Sequence, residues 1–138
     1  MIQEEKELLL KDLCTRLPYK VKGFAEHGVF KGIVTLRNIN IDNDSQPIAC
    51  YNNYGSLHVK VGEFKPYLFP LSSMTEEEKK EYGKACELDT EILLKHPMDE
   101  TPFPALYNSQ DWLDAHHFDY RGLIPMGLAK DATGKNIY

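Results

Sequence analysis

Two stretches decide how this sequence folds. They are Phe30-Lys31-Gly32-Ile33-Val34-Thr35-Leu36-Arg37-Asn38-Ile39-Asn40-Ile41 and Ser56-Leu57-His58-Val59-Lys60-Val61-Gly62-Glu63-Phe64. The first is rich in β-branched residues (Ile33, Val34, Thr35, Ile39, Ile41), which suit a pleated, half-buried surface. The second alternates. Leu57, Val59 and Val61 fall on one side, His58 and Lys60 on the other, the period of a strand with one dry and one wet face. Working outward, Tyr19 to Phe24 reads as a short strand, with a turn at Glu26-His27-Gly28. Asp42-Asn43-Asp44-Ser45-Gln46-Pro47 is dense in turn formers. Ile48 to Tyr51 reads as another strand, and Asn52-Asn53-Tyr54-Gly55 as another turn. Strands joined this closely predict an antiparallel meander of three to five strands, able to curl into a small barrel.

Helices bracket this region. Residues 3–16 place Leu9, Leu10, Leu13, Cys14 and Leu17 on one helical face. Glu4, Glu5 and Glu7 lie near its start, where the macrodipole favours anions, and Pro18 stops it. Lys65-Pro66-Tyr67-Leu68-Phe69-Pro70-Leu71 is apolar, but its two prolines argue against a central strand. It reads as an extended connector across the sheet edge or over the core. Ser73-x-x-Glu76 and Thr75-x-x-Glu78 both match a capping box. The helix they announce buries Tyr82, Ala85, Cys86, Ile92 and Leu93, interrupted by Asp89, and ends at Pro97. His96 to Pro104 reads as a loop. A shorter helix then runs from Asn108 or Ser109 through Trp112 to about His117. The tail from Gly122 reads as irregular, pinned to the core by Leu123, Ile124, Met126 and Leu128. The fold class is therefore α+β, one domain over 1–138: an N-terminal helix, a small antiparallel meander, two helices and an ordered irregular tail. Helices bracketing consecutive strands argue against a parallel doubly wound sheet.

The chain has 138 residues, 42% of them apolar. A domain of that size buries roughly two-thirds of the surface its unfolded chain exposes, so it needs neither disulfide nor metal to fold. The formal net charge is −5, which argues against general affinity for nucleic acid or anionic membranes. The start is acidic where a secretory signal is basic, and no apolar run approaches the roughly 20 residues that span a bilayer. Cys14, Cys50 and Cys86 form no Cys-x-x-Cys pair, which removes zinc-ribbon and thioredoxin-like readings. They read as reduced core residues and point to the cytoplasm.

One segment concentrates chemistry: Asp111-Trp112-Leu113-Asp114-Ala115-His116-His117-Phe118-Asp119-Tyr120-Arg121. On a helix, Trp112 and His116 share a face at i, i+4. Four readings compete. A metal site needs three or four ligands, so His27, His58 or His96 would have to join adjacent histidines that diverge by about 100° on a helix. General acid–base chemistry would use His116 or His117 with Asp119, but no nucleophile elbow or phosphate loop accompanies it. A recognition surface would use Trp112, His116, His117, Asp119, Tyr120 and Arg121, since Trp, Tyr and Arg dominate binding hot spots. As a structural anchor, Trp112, Phe118 and Tyr120 would pin the chain, the histidines would cap the helix, and Arg121 would pair with Asp119 or bind backbone carbonyls. The anchoring and recognition readings stand ahead of the other two. Lys20, Lys22, Lys31 and Arg37 with Phe24 and Phe30 form a weaker basic, aromatic region of the kind that binds single strands.

Three stretches together carry a resemblance. They are Lys11-Asp12-Leu13-Cys14-Thr15-Arg16-Leu17-Pro18-Tyr19, Lys65-Pro66-Tyr67-Leu68-Phe69-Pro70-Leu71-Ser72-Ser73-Met74-Thr75-Glu76-Glu77-Glu78, and Asp111-Trp112-Leu113 with His116-His117-Phe118-Asp119-Tyr120-Arg121-Gly122-Leu123-Ile124 and Gly127-Leu128-Ala129. The set resembles a family of short, uncharacterised proteins of anaerobic gut bacteria and their phages and mobile elements. The resemblance implies a bacterial or phage cytosolic setting and assigns no functional residue. The expected function is a non-enzymatic module that binds a protein partner or ligand, without cofactor, with nucleic acid a less expected partner. The alternatives are a small hydrolase-like enzyme using His116 or His117 with Asp119, and a weak nucleic-acid or nucleotide binder using the N-terminal basic strands.

Overall fold

The computed structural model describes residues 1–42, 45–95 and 108–138, with the backbone alone for 92–95. The loop expected at His96 to Pro104, Pro97, the side chains of Ile92 and Leu93, and part of the Asp42–Pro47 turn lie outside the described residues. Helix α1 is Gln3–Arg16, and it buries Leu9, Asp12, Leu13 and Arg16. That face is turned from the one the leucines suggest: Leu10 and Leu17 are half-buried and Cys14 is exposed. The reason lies at Asp12 and Arg16, one turn apart, which pair with each other and are drawn inward together. The three thiols are free, but only Cys50 is a core residue.

The strands are β1 (Lys22–His27), β2 (Phe30–Ile39), β3 (Ile48–Asn52), β4 (Gly55–Val59) and β5 (Phe64–Pro70), with two-residue pieces β6 (Phe118–Asp119) and β7 (Lys130–Asp131). Their order is β4-β3-β2-β1-β5-β6, with β7 also on β5, and the sheet stays open rather than closing into a barrel. The meander holds from β1 to β4, every neighbour antiparallel. The strand expected from Tyr19 to Phe24 begins instead at Lys22, because Leu17–Tyr19 form a 3-10 turn, and it takes in Glu26 and His27, expected as turn. The β1–β2 hairpin turns at Gly28-Val29, where Gly28 supplies a φ of +61° that side chains resist. The alternating run from Ser56 ends as a strand at Val59. Glu63 then bonds the Lys60 N–H at 2.8 Å and turns the chain through Val61–Glu63 into β5.

Strand β5 overturns the connector reading. Its Phe64–Pro66 part pairs antiparallel with β1. Its Tyr67–Pro70 part pairs in parallel with β7 and β6. Each residue thus has a strand partner on one side only, so a proline without an N–H is tolerated as on an edge. Against β1 the backbones come close. A Cβ at Gly23 would stand 2.8 Å from the Lys65 carbonyl oxygen, which only glycine avoids.

Leu9 and Leu13 of α1 pack on one face of the sheet with Val34, Leu36, Ile48, Val59 and Phe64. Leu123 and Leu128 of the tail close the same core, while Ile124 is half-buried and Met126 is exposed instead of pinning the chain. Helix α2 (Glu76–Lys95) packs on helix α3 (Asn108–Ala115), and its stripe is only half-buried. Its capping box is the Thr75 one: Thr75 N–H donates to Glu78, and Glu78 N–H to Thr75 Oγ1. Ser73 instead donates to the Pro70 carbonyl. No described helix is long and apolar enough to cross a membrane.

Candidate functional site

The turn after α3 folds the Asp111–Arg121 segment against α1, and there the segment meets the pair that α1 buries. Arg16 Nε donates to Asp12 Oδ2 at 2.7 Å, and its Nη2 to the Phe118 carbonyl at 2.6 Å. Arg121 Nε donates to Asp12 Oδ1 at 3.1 Å. The Tyr120 hydroxyl donates to Asp114 Oδ1 at 2.7 Å, and both guanidinium groups lie over its ring. Thr15 donates to the Asp12 carbonyl at 2.8 Å and sits beside Asp114. Two cations and two carboxylates balance, which lets so much charge be buried. Burial pushes the Asp114 carboxyl above its usual range, against the pull of the Tyr120 hydrogen bond and Arg16. Burial likewise raises the Tyr120 phenol.

The remaining candidates also pack within the chain, and of these Trp112, His116 and Asp119 make contacts that hold the segment in place. Trp112 stacks on His116 at 3.9 Å between ring centroids and on Phe118 at 5.7 Å. His116 Nδ1 meets the Trp112 carbonyl at 2.8 Å, capping the end of α3. The Asp119 carboxylate accepts the backbone N–H groups of Leu123 and Ile124, both at 2.9 Å, and so shapes the following turn. Arg121 pairs with Asp12 rather than with Asp119. His117 adopts φ +62°, its ring stacked 3.6 Å from that of Tyr138. Its Nδ1 is buried without a hydrogen bond. Burial, and then the charges of Arg16, His116 and Lys22, lower its pKa to about 4. Among the described residues no group of three or more metal-ligating side chains converges.

Asp12, Thr15 and Arg16, which complete the network, have a sequence signature that is easily read as ordinary helix surface. Asp12 and Arg16 fall at the i, i+3, i+4, i+7 positions of Leu9 and Leu13, so the apolar face carries a matched ion pair. Asp89, which interrupts the stripe of α2, accepts the backbone N–H groups of Asn108 and Ser109 at 3.0 Å and the Ser109 hydroxyl at 2.6 Å. It caps α3 from a neighbouring helix. Burial raises its carboxyl, but the hydrogen bonds from Ser109 and Asn108 outweigh that and hold it below the usual range.

The second surface is the sheet face turned away from α1. Paired residues share a face. The register therefore sets Lys65, Phe24 and Ile33 in one row, and Lys22, Thr35, Tyr51 and Ser56 in the next. Glu26 and Lys31 close one end. At the other, Arg37 sits in a bulge between Leu36 and Asn38. Bulges re-aim a side chain, and Arg37 is exposed. Ile33 is 47% and Tyr51 39% exposed. Lys130 Nζ stands 4.7 Å over the Phe24 ring, and Lys22 Nζ donates to the Ile137 carbonyl. Phe30 turns to the opposite face and packs on the core. Two hollows open on this face. One, of about 390 Å³, is lined by Arg37, Tyr51, Asn52, Gly55 and Ser56; the other, of about 200 Å³, by Phe24, Glu26, Gly62, Glu63, Lys65 and Lys130.

Comparison with family models, curated proteins and solved structures finds no match to this chain.

Proposed function

We propose that the protein is a non-enzymatic binding module of the cytoplasm, and that its recognition surface is the open face of the sheet. The observation that carries this reading is the separation of charge. Residues 75–100 hold four basic and nine acidic groups, which accounts for the whole net charge of −5, so the remainder sums to zero. That acidic excess falls largely on α2, which packs on α3. The open face meanwhile carries Lys22, Lys31, Arg37, Lys65 and Lys130 against Glu26 and Glu63, beside Phe24, Ile33 and Tyr51. An exposed apolar patch rimmed by one sign of charge is a binding feature. Asp114, His116, Asp119, Tyr120 and Arg121 spend their polar groups on α1, on one another and on the turns around them, which favours the anchoring role for that segment. The free thiols support a reducing compartment.

Such a face predicts affinity for a polyanion despite the acidic chain. The test is retention on immobilised heparin at pH 7 and low salt. The native protein should be held and released by moderate salt, and Arg37→Glu with Lys65→Glu should flow through. A native protein that flows through overturns the reading.

A further inference from the structure

We infer that the occupant of the open sheet face is a single-stranded nucleic acid, its bases stacked on Phe24 and Tyr51 and its phosphates tracked by Arg37, Lys31, Lys65 and Lys130. The inference rests on the binding-face reading and gives it a ligand.

Each of the two rings has a cation beside it and a hollow in front of it. Tyr51 shares the 390 Å³ hollow with Arg37, and Phe24 shares the 200 Å³ hollow with Lys65 and Lys130 and with Glu26 and Glu63. A base stacking on Phe24 takes the place of the Lys130 ammonium that stands 4.7 Å over the ring. An aromatic ring flanked by a cation is what a nucleotide needs, a plane for the base and a charge for the phosphate. An acidic peptide would use the cations and leave the rings without a counterpart. The spacing also fits a chain of bases. Phe24 and Tyr51 lie two strands apart and two residues out of step along β2. At about 4.8 Å between strands and 3.4 Å per residue, their backbones are on the order of 12 Å apart. Both rings cannot grip one base, but one strand can lay two different bases on them.

The geometry selects single strands over duplex. A broad sheet face cannot enter a groove that admits a helix or a two-stranded ribbon, and in a duplex the base faces are already stacked on each other. Ile33 lies in the Phe24 row on β2, the strand between those that carry the two rings, and offers an apolar floor. Glu26 and Glu63 both line the Phe24 hollow, beside Lys65 and Lys130. The Tyr51 hollow is lined by Arg37 and by no carboxylate, so the phosphates of the bound strand bear most strongly on Arg37 and more weakly on Lys31, Lys65 and Lys130.

The experiment is fluorescence polarisation with labelled dT12 and U12 at rising salt. The native protein should bind one or both at low salt. With three or four phosphates neutralised, log affinity should fall with log salt at a slope of about −2 to −3. A blunt duplex of the same length should bind at least about tenfold more weakly. Tyr51→Ala should lose roughly tenfold and Tyr51→Phe should keep the native value, because stacking needs the ring and not the hydroxyl. Arg37→Ala should weaken binding and flatten the salt slope by about 0.7. Tyr51 is exposed, so these variants keep the fold, which circular dichroism checks. Two results overturn the inference. One is a protein that is held by heparin yet binds neither oligonucleotide, which leaves the polyanion face standing and gives it to an acidic protein. The other is oligonucleotide binding that Tyr51→Ala and Arg37→Ala leave unchanged. Failure on heparin as well removes the binding face itself.

Discussion

Arg16 Nε and Asp12 Oδ2 lie 2.7 Å apart, both side chains wholly buried, one helical turn from each other on α1. The pair is the hinge between the two halves of the sequence, because Arg121 and the Phe118 carbonyl close on it from more than a hundred residues away. Breaking one side leaves an uncompensated buried charge. Asp12→Ala should therefore destabilise the protein by about 3–5 kcal/mol. Replacing both partners by apolar residues, as in Asp12→Leu with Arg16→Met, should recover a large part of that loss. Urea unfolding midpoints of the single and double variants measure it. Additive losses would show that the pair is not a unit.

His117 makes stability depend on pH in a definite direction. Its folded pKa is about 4 against an ordinary 6.5. Between those values the unfolded chain binds a proton that the folded chain does not, so stability rises with pH across that window and is lost as pH falls through it. The partial exposure of the ring limits the effect to about 2 kcal/mol. Asp114 works in the opposite sense. Its raised folded pKa contributes stability that is fully present below 3.8 and fades above it. His117→Asn separates the two, since asparagine tolerates a positive φ and does not titrate. The difference in unfolding free energy between native and variant should grow in favour of the native protein from pH 4 to 6.5. A flat difference would mean the ring is solvated.

Asp89 holds α3 through three hydrogen bonds to Asn108 and Ser109. Asp89→Ala removes an N-cap supplied from another helix, and should cost about 1–2 kcal/mol. Because the capping group sits on α2, the loss should also loosen α2 from α3. Hydrogen exchange of the Asn108–Ala115 amides should speed up while that of β1 to β4 stays unchanged. Equal protection in native and variant would contradict the capping role.

The fold was legible where a pattern is local. The capping box at Thr75, the alternation from Ser56, the turn at Asn52–Gly55 and the stack of Trp112 on His116 all follow from spacing within a few residues. Three things were not legible, each for the same reason. Asp12 and Arg16 look like helix surface until Arg121 and Tyr120 arrive from the far end of the chain. The prolines of β5 look incompatible with a sheet until its partners are seen to be staggered along it. The open face is hidden because acidic α2 masks its charge in the whole-chain sum, and because the rows that join Phe24 to Ile33 and Thr35 to Tyr51 exist only once the register is known. Lys22, Lys31, Arg37 and Phe24 stood out in the sequence, but Tyr51, Lys65 and Lys130 come to them only through the sheet.

The central claim is that this face binds and that the Asp111–Arg121 segment anchors. The most direct measurement is an amide and side-chain NMR titration of the native protein with dT12. Shifts should concentrate at Phe24, Ile33, Arg37, Tyr51 and Lys65, with the Trp112 indole and the His116 ring unmoved. Shifts gathered instead at Trp112, His116 and Arg121, with Tyr51 and Ile33 silent, would contradict it.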